Sequence, residues 1–194
     1  WGPTVANRVP VHASGPYQVA NYLAKSRAVH TNNVPAGAFR GFGVPQTAIA
    51  LETSLSELAQ KAGVDELKFR MINALRNGTP TVTGQVFSSG VGIIKCLEAV
   101  RPAWERAKKY SSQYNNASGE SIHKKGVGIA TCWYGCGNTS IANPSTIRIG
   151  IRQNGQIVLH QGATDIGQGS NTVITQIVAD AIQTNIHSIE LIGP

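Results

Sequence analysis

Pro35-Ala-Gly-Ala-Phe-Arg-Gly-Phe-Gly-Val-Pro-Gln46 sets three glycines, Gly37, Gly41 and Gly43, among Ala38, Phe39, Arg40 and Phe42, with prolines on both sides. Glycine permits positive φ and lets another group approach the main chain closely. The segment therefore offers reachable amides, one cation and flat apolar walls. Two uses stay open: a plain loop leading into a helix, or a cradle for a bulky, flat, anionic ligand held by main chain. A helix does follow. Pro45 suits its first turn, Leu51, Leu55, Leu58 and Ala62 share one face, and Gly63 fits the left-handed stop after it.

Asp65 can N-cap a shorter helix through Leu75, halted by Asn77-Gly78-Thr79-Pro80. Ser89 begins a third helix carrying Ile93, Ile94, Leu97, Val100 and Trp104, which Pro102 should kink or divide. Residues 111–125 are polar and read as a linker. Beyond them the period changes. Gly126 to Trp133 reads as a strand, and Ile147, Ile149 and Ile151 alternate with Arg148, Gly150 and Arg152. Asn154-Gly155 is a strong hairpin signal joining that strand to 156–160. A helix, Val173 to Ile182, and a strand, Ile186 to Ile192, complete the chain, while Tyr17 to His30 has partial strand character. The expected class is α+β: two sub-domains of mixed sheets with packed helices, spanning 1–110 and 126–194, joined by the linker 111–125.

A second glycine-rich segment, Gln161-Gly-Ala-Thr-Asp-Ile-Gly-Gln-Gly-Ser-Asn-Thr172, follows a strand and opens a helix. Such a turn presents unpaired N–H groups and the positive end of the helix dipole, which favours anions. Ser170 or Asn171 can serve as N-cap. The spacing is neither a dinucleotide-binding GxGxxG, because Thr172 stands at the third glycine, nor a phosphate loop ending Gly-Lys-Ser/Thr. Plain capping and ligand binding are both open here.

The net charge of the 194 residues is +7, yet charged residues make up only 14%, against roughly 25% in an ordinary soluble domain. A chain so poor in charge is expected to hide surface against other polypeptide. The basic residues are dispersed, with no aromatic RNA-binding motif or zinc-finger spacing, so nucleic acid is not the expected partner. Cys96, Cys132 and Cys136 form no metal-binding or disulfide pattern and read as buried free thiols of a reducing, cytoplasmic compartment. No apolar run is long enough for a membrane span.

Taken together, Gly-Ala-Phe-Arg-Gly-Phe-Gly-x-Pro-Gln (37–46) and Asp-Ile-Gly-Gln-Gly (165–169) resemble two molybdopterin-contact segments of the molybdenum hydroxylases, the xanthine dehydrogenase and aldehyde oxidase family. The resemblance extends through 12–17, 48–62 and 126–144, nearly the whole chain. It implies a piece of the molybdenum-binding subunit of an enzyme that oxidises a purine-like N-heterocycle or an aldehyde with oxygen from water. Molybdenum–molybdopterin, or its cytosine dinucleotide form, is the implied cofactor, placed between the two sub-domains. The remaining segments of that subunit, with 2Fe–2S and flavin (FAD) domains or subunits, are the implied partners.

By the same resemblance, Ala38, Phe39, Arg40 and Gly41 contact the cofactor, with the Arg40 main chain near molybdenum. Gly167, Gln168 and Gly169 hydrogen-bond the pterin and its phosphate. Phe42, Arg8 and Asn138 line the substrate pocket, and Gly137 falls where purine-oxidising members carry a second stacking phenylalanine. The family's general-base glutamate segment and iron–sulfur cysteines have no counterpart, and Glu52, Glu57 and Glu190 lack its context. No catalytic residue is therefore assigned, and the chain alone is expected to be inactive. The rival class is a non-catalytic module that binds molybdopterin or serves as scaffold.

Overall fold

In a computed structural model describing residues 2–35, 37–135 and 144–193, the chain divides into two units, Trp1–Tyr134 and Gly135–Pro194. The division falls later than the linker expected at 111–125. Residues 111–117 belong instead to one uninterrupted helix, and 127–129 pack back onto it. The chain is α+β, with packed helices and a small mixed sheet; that sheet, the only one among the described residues, lies in the second unit.

Four helices build the first unit: α1 (Gly2–His12), α2 (Val44–Lys61), α3 (Glu66–Asn73) and α4 (Ile93–Ala117). Helix α1 was not expected, because it lacks apolar periodicity and contains Pro10. Pro10 cannot donate to the Ala6 carbonyl. Ser26 Oγ does so instead at 2.6 Å, and Tyr22 donates its hydroxyl to Pro10 O at 2.6 Å. Those bonds accompany the absence of a strand over 17–30: its side chains serve α1, and its one ladder contact among the described residues is a bridge between Tyr17 and Ala74.

Helix α2 starts where Pro45 indicated, and Gly63 takes the left-handed conformation just past its end (φ 65°). Asp65 caps α3 as expected, accepting from Lys68 N at 3.0 Å. Pro102 does not divide α4, which runs 25 residues. Its polar last turns are held by Lys125, whose Nζ sits 4.5 and 4.3 Å from the Tyr110 and Tyr114 rings. Asn115 also bonds both the N–H and the C=O of Lys125. Leu67, Leu97 and Trp104 form the core of this unit, with Val127 and Ile129 packed against it. Cys96 and Cys132 are exposed, contrary to the expectation of buried thiols, because neither faces that core.

Asp65 also accepts from Trp104 Nε1 at 3.0 Å and Lys108 Nζ at 2.7 Å. Partial burial pushes its carboxyl up, but the Lys108, Trp104 and Lys68 hydrogen bonds outweigh that and bring it down to about 2. Its folded value lies below its unfolded one, so its contribution is present above about pH 4 and is lost as pH falls through about 2. After solvent screening the loss should be about 1 kcal/mol. Acid titrations of unfolding free energy for the wild type and Asp65→Asn check this. The wild type should lose its advantage between those pH values.

In the second unit, β1 (Arg148–Ile151) pairs antiparallel with β2 (Ile157–His160) around the expected hairpin, where Gly155 has φ 84°. Helix α5 (Ser170–Ala181) and a 3-10 turn (Ile186–Ser188) lead to β3 (Ile189–Ile192), which lies parallel to β2. A right-handed crossover through a helix is the usual way to make such a pair. Leu159, Val178, Ala179 and Ile189 form the core. No described helix is long and apolar enough to cross a membrane.

Candidate functional site

The first glycine-rich loop is shaped by three consecutive left-handed residues, Gly41 (φ 91°), Phe42 (φ 50°) and Gly43 (φ 91°). Phe42 is a non-glycine residue in a region that L side chains rarely adopt. A Cβ on Gly43 would lie 2.9 Å from Val5 Cγ1 and 3.3 Å from Val5 O, so only glycine lets α1 approach here. Two turn bonds, Phe42 N to Phe39 O at 2.6 Å and Val44 N to Gly41 O at 3.0 Å, close the loop. Ahead of them, the amides of Ala38, Phe39, Arg40 and Gly41 donate to nothing among the described residues. Residues 37–40 are exposed, Phe39 at 77%. A solvent-facing phenylalanine beside free amides and a cation suits a flat anionic ligand.

Arg8 and Phe42 meet. The Arg8 guanidinium carbon lies 5.6 Å from the Phe42 ring centre and 5.8 Å from that of Tyr134. His12 stacks on Tyr134 at 5.7 Å and meets Trp133 edge-on at 6.3 Å. Burial holds the His12 imidazole below its ordinary value, against the opposing hydrogen bond that its Nδ1 donates to the Arg8 carbonyl, and the Arg8 charge adds to the lowering. The result is one cation held over two aromatic rings. His12 was given no site role on sequence. The i, i+4 spacing of Arg8 and His12 was a usable signal only once α1 was known. Asn138 and Gly137 lie outside the described residues.

Below this wall, a groove of about 970 Å³ runs between α2 and residues 128–134, lined by Gly41, Val44, Pro45, Ile49 and Glu52 among others. Glu52 is not available for chemistry. Its carboxylate accepts from Arg70 Nε at 2.7 Å and from Tyr17 and Thr131 hydroxyls at 2.8 Å each. Among the described residues, no three His, Cys, Asp or Glu side chains gather as a metal site.

The second loop is closed by its own side chains. The Asp165 carboxylate accepts from Gly167 N (2.8 Å), Asn171 N (3.2 Å) and Gly169 N (3.4 Å), bonds that draw its carboxyl below the usual range. Gly169, not Ser170 or Asn171, is the N-cap of α5. Gln168 Oε1 accepts from Ile166 N at 2.6 Å, while its Nε2 donates to Thr164 O and Ser170 Oγ. Two of the three amides assigned to a ligand therefore turn to Asp165. The Gln168 N–H is left without an acceptor among the described residues.

Residues 1–74 and 96–193 each match a family model described as a molybdopterin cofactor-binding domain. The large molybdopterin subunit of nicotinate dehydrogenase from Eubacterium barkeri is 44% identical over 52% of this chain and 24% of its own length. The xanthine dehydrogenase molybdenum-binding subunit of Escherichia coli O157:H7 is 32% identical over 91% of this chain and 23% of its own. The solved aldehyde oxidoreductase from Desulfovibrio gigas superposes with a TM-score of 0.83 at 28% identity, covering 100% of this chain and 21% of that one. The chain thus spans about a quarter of the length of such relatives.

Proposed function

Because the chain belongs to the molybdopterin cofactor-binding family of the molybdenum hydroxylases, we propose that it binds molybdenum–molybdopterin and lines the substrate pocket of an enzyme oxidising an N-heterocycle or aldehyde. The four free amides of Ala38 to Gly41 carry this reading. Their donors fit a large polar ligand, and Phe39 and Arg40 supply apolar cover and positive charge. In the second unit the Gln168 N–H and the exposed turn 166–168 are the matching contact, held in shape by Asp165. When bound, the cofactor supplies two-electron oxidation with oxygen from water; the chain's residues supply position and electrostatics. Iron–sulfur and flavin centres belong to the rest of the enzyme.

Arg8 over Phe42 is the proposed substrate wall. In the intact molybdenum-binding subunit, Arg8→Met should keep full molybdenum content. It should lower kcat/KM for a planar N-heterocycle about tenfold, because it removes one close cation from a desolvated ring site. A small aliphatic aldehyde should be affected by less than about threefold. Equal loss on both substrates would remove Arg8 from the pocket.

A further inference from the structure

Residues 127–134, Val-Gly-Ile-Ala-Thr-Cys-Trp-Tyr, lie in no described helix, strand or turn and alternate strictly in burial. Val127, Ile129, Thr131 and Trp133 are partly covered, whereas Gly128, Ala130, Cys132 and Tyr134 are exposed. That is the period of a strand with one face on a core. The covered face rests on Leu97 and Trp104, and Thr131 is tied to Glu52. Yet no backbone N–H or C=O of these eight residues is hydrogen-bonded among the described residues.

Main-chain donors and acceptors are almost always paired where apolar surroundings exclude water. The segment is flanked on both sides by grooves, one against α2 (about 970 Å³) and one against α4 (about 500 Å³). Ile93, Leu97 and Val100 line the second, so both are largely apolar. At one end the buried Trp133 Nε1 has no acceptor among the described residues. A run of unpaired amides beside an apolar groove selects another main chain, not a small ligand, because only an extended backbone supplies donors and acceptors at the same repeat.

We infer that 127–134 is an interior strand of a sheet whose neighbouring strands, one in each groove, come from molybdenum-subunit polypeptide outside these 194 residues. The solved relative has nearly five times this length, since this chain covers 21% of it. Such polypeptide is in ample supply. Each incoming strand should carry apolar residues at alternate positions, to fill the groove beside α2 or α4. The inference concerns assembly of the subunit and does not depend on cofactor loading.

Two measurements on the purified intact molybdenum-binding subunit test it. Hydrogen exchange at single-residue resolution should show the amides of 128–133 slowed by more than about a hundredfold at odd and even positions alike, since the two sets point to opposite edges. Second, a benzophenone amino acid at Ala130, irradiated in the intact subunit, should crosslink to peptides from outside the 194 residues. Exchange near the intrinsic rate, protection of only one set, or crosslinks to residues 144–193 or to a second copy would each overturn the proposal. The exchange measurement uses the wild-type protein, so a poorly folding variant does not leave the question open.

Discussion

Replacing Arg70 with methionine is expected to cost about 3–5 kcal/mol, the largest loss from any single change discussed for this chain. Arg70 is fully buried, at 0% exposure. Its Nε binds Glu52 Oε2 at 2.7 Å, its Nη2 binds Glu52 O and Ser56 Oγ at 3.0 Å each, and its Nη1 binds Glu66 O at 3.1 Å. Removing it strands the Glu52 carboxylate in a site that admits little water. Tyr17 and Thr131 would still donate to Glu52, but neither carries charge. Burial already pushes the Tyr17 hydroxyl well above its ordinary value, so it stays a neutral donor. Four pieces of chain meet here: the end of α1's extension, α2, α3 and the 127–134 segment. Denaturant unfolding followed by tryptophan fluorescence measures the loss.

The double variant Glu52→Gln/Arg70→Met should recover at least about half of that cost, because a neutral amide still accepts from Tyr17 and Thr131. A loss below about 1 kcal/mol in the single variant would mean that the pair is solvated and does not organise the unit.

The second large effect is expected at Gln168. Its side chain makes three hydrogen bonds inside the loop 164–170, and these fix the turn that exposes the Gln168 N–H. In the intact subunit Gln168→Ala frees the loop, so cofactor binding must then order it at a cost of about 1–3 kcal/mol, or roughly 5- to 150-fold in affinity. Elemental analysis should show molybdenum content falling while the substrate profile of the loaded fraction stays unchanged. Full molybdenum content with altered substrate preference would place Gln168 in the substrate pocket instead.

Local signals in the sequence carried the parts of the fold that local chemistry decides. Pro45 and Gly63 bounded α2, Asp65 capped α3, and Asn154-Gly155 turned the hairpin, each through conformations that few neighbours can override. Tertiary bonds decided the rest. Helix α1 survives Pro10 because Ser26, sixteen residues on, supplies the missing donor. Residues 111–117 are helical, not linker, because Asn115 and the Tyr110–Tyr114 pair hold Lys125. The pairing of Arg8 with Phe42 spans 34 positions and was legible only through the family resemblance. Asp165 received no role of its own within the Asp-Ile-Gly-Gln-Gly motif, although an Asp side chain readily accepts from main-chain amides a few residues on.

The amides of Ala38 to Gly41 and of Gln168, which have no acceptor among the described residues, are the proposed cofactor donors. Hydrogen exchange of the intact molybdenum-binding subunit, compared between cofactor-loaded and cofactor-free protein, measures those donors directly. Loading should slow these five amides by more than about tenfold and leave the amides of α4 unchanged. Unchanged exchange at 38–41 and 168 in fully loaded protein would contradict the assignment of these loops to the cofactor.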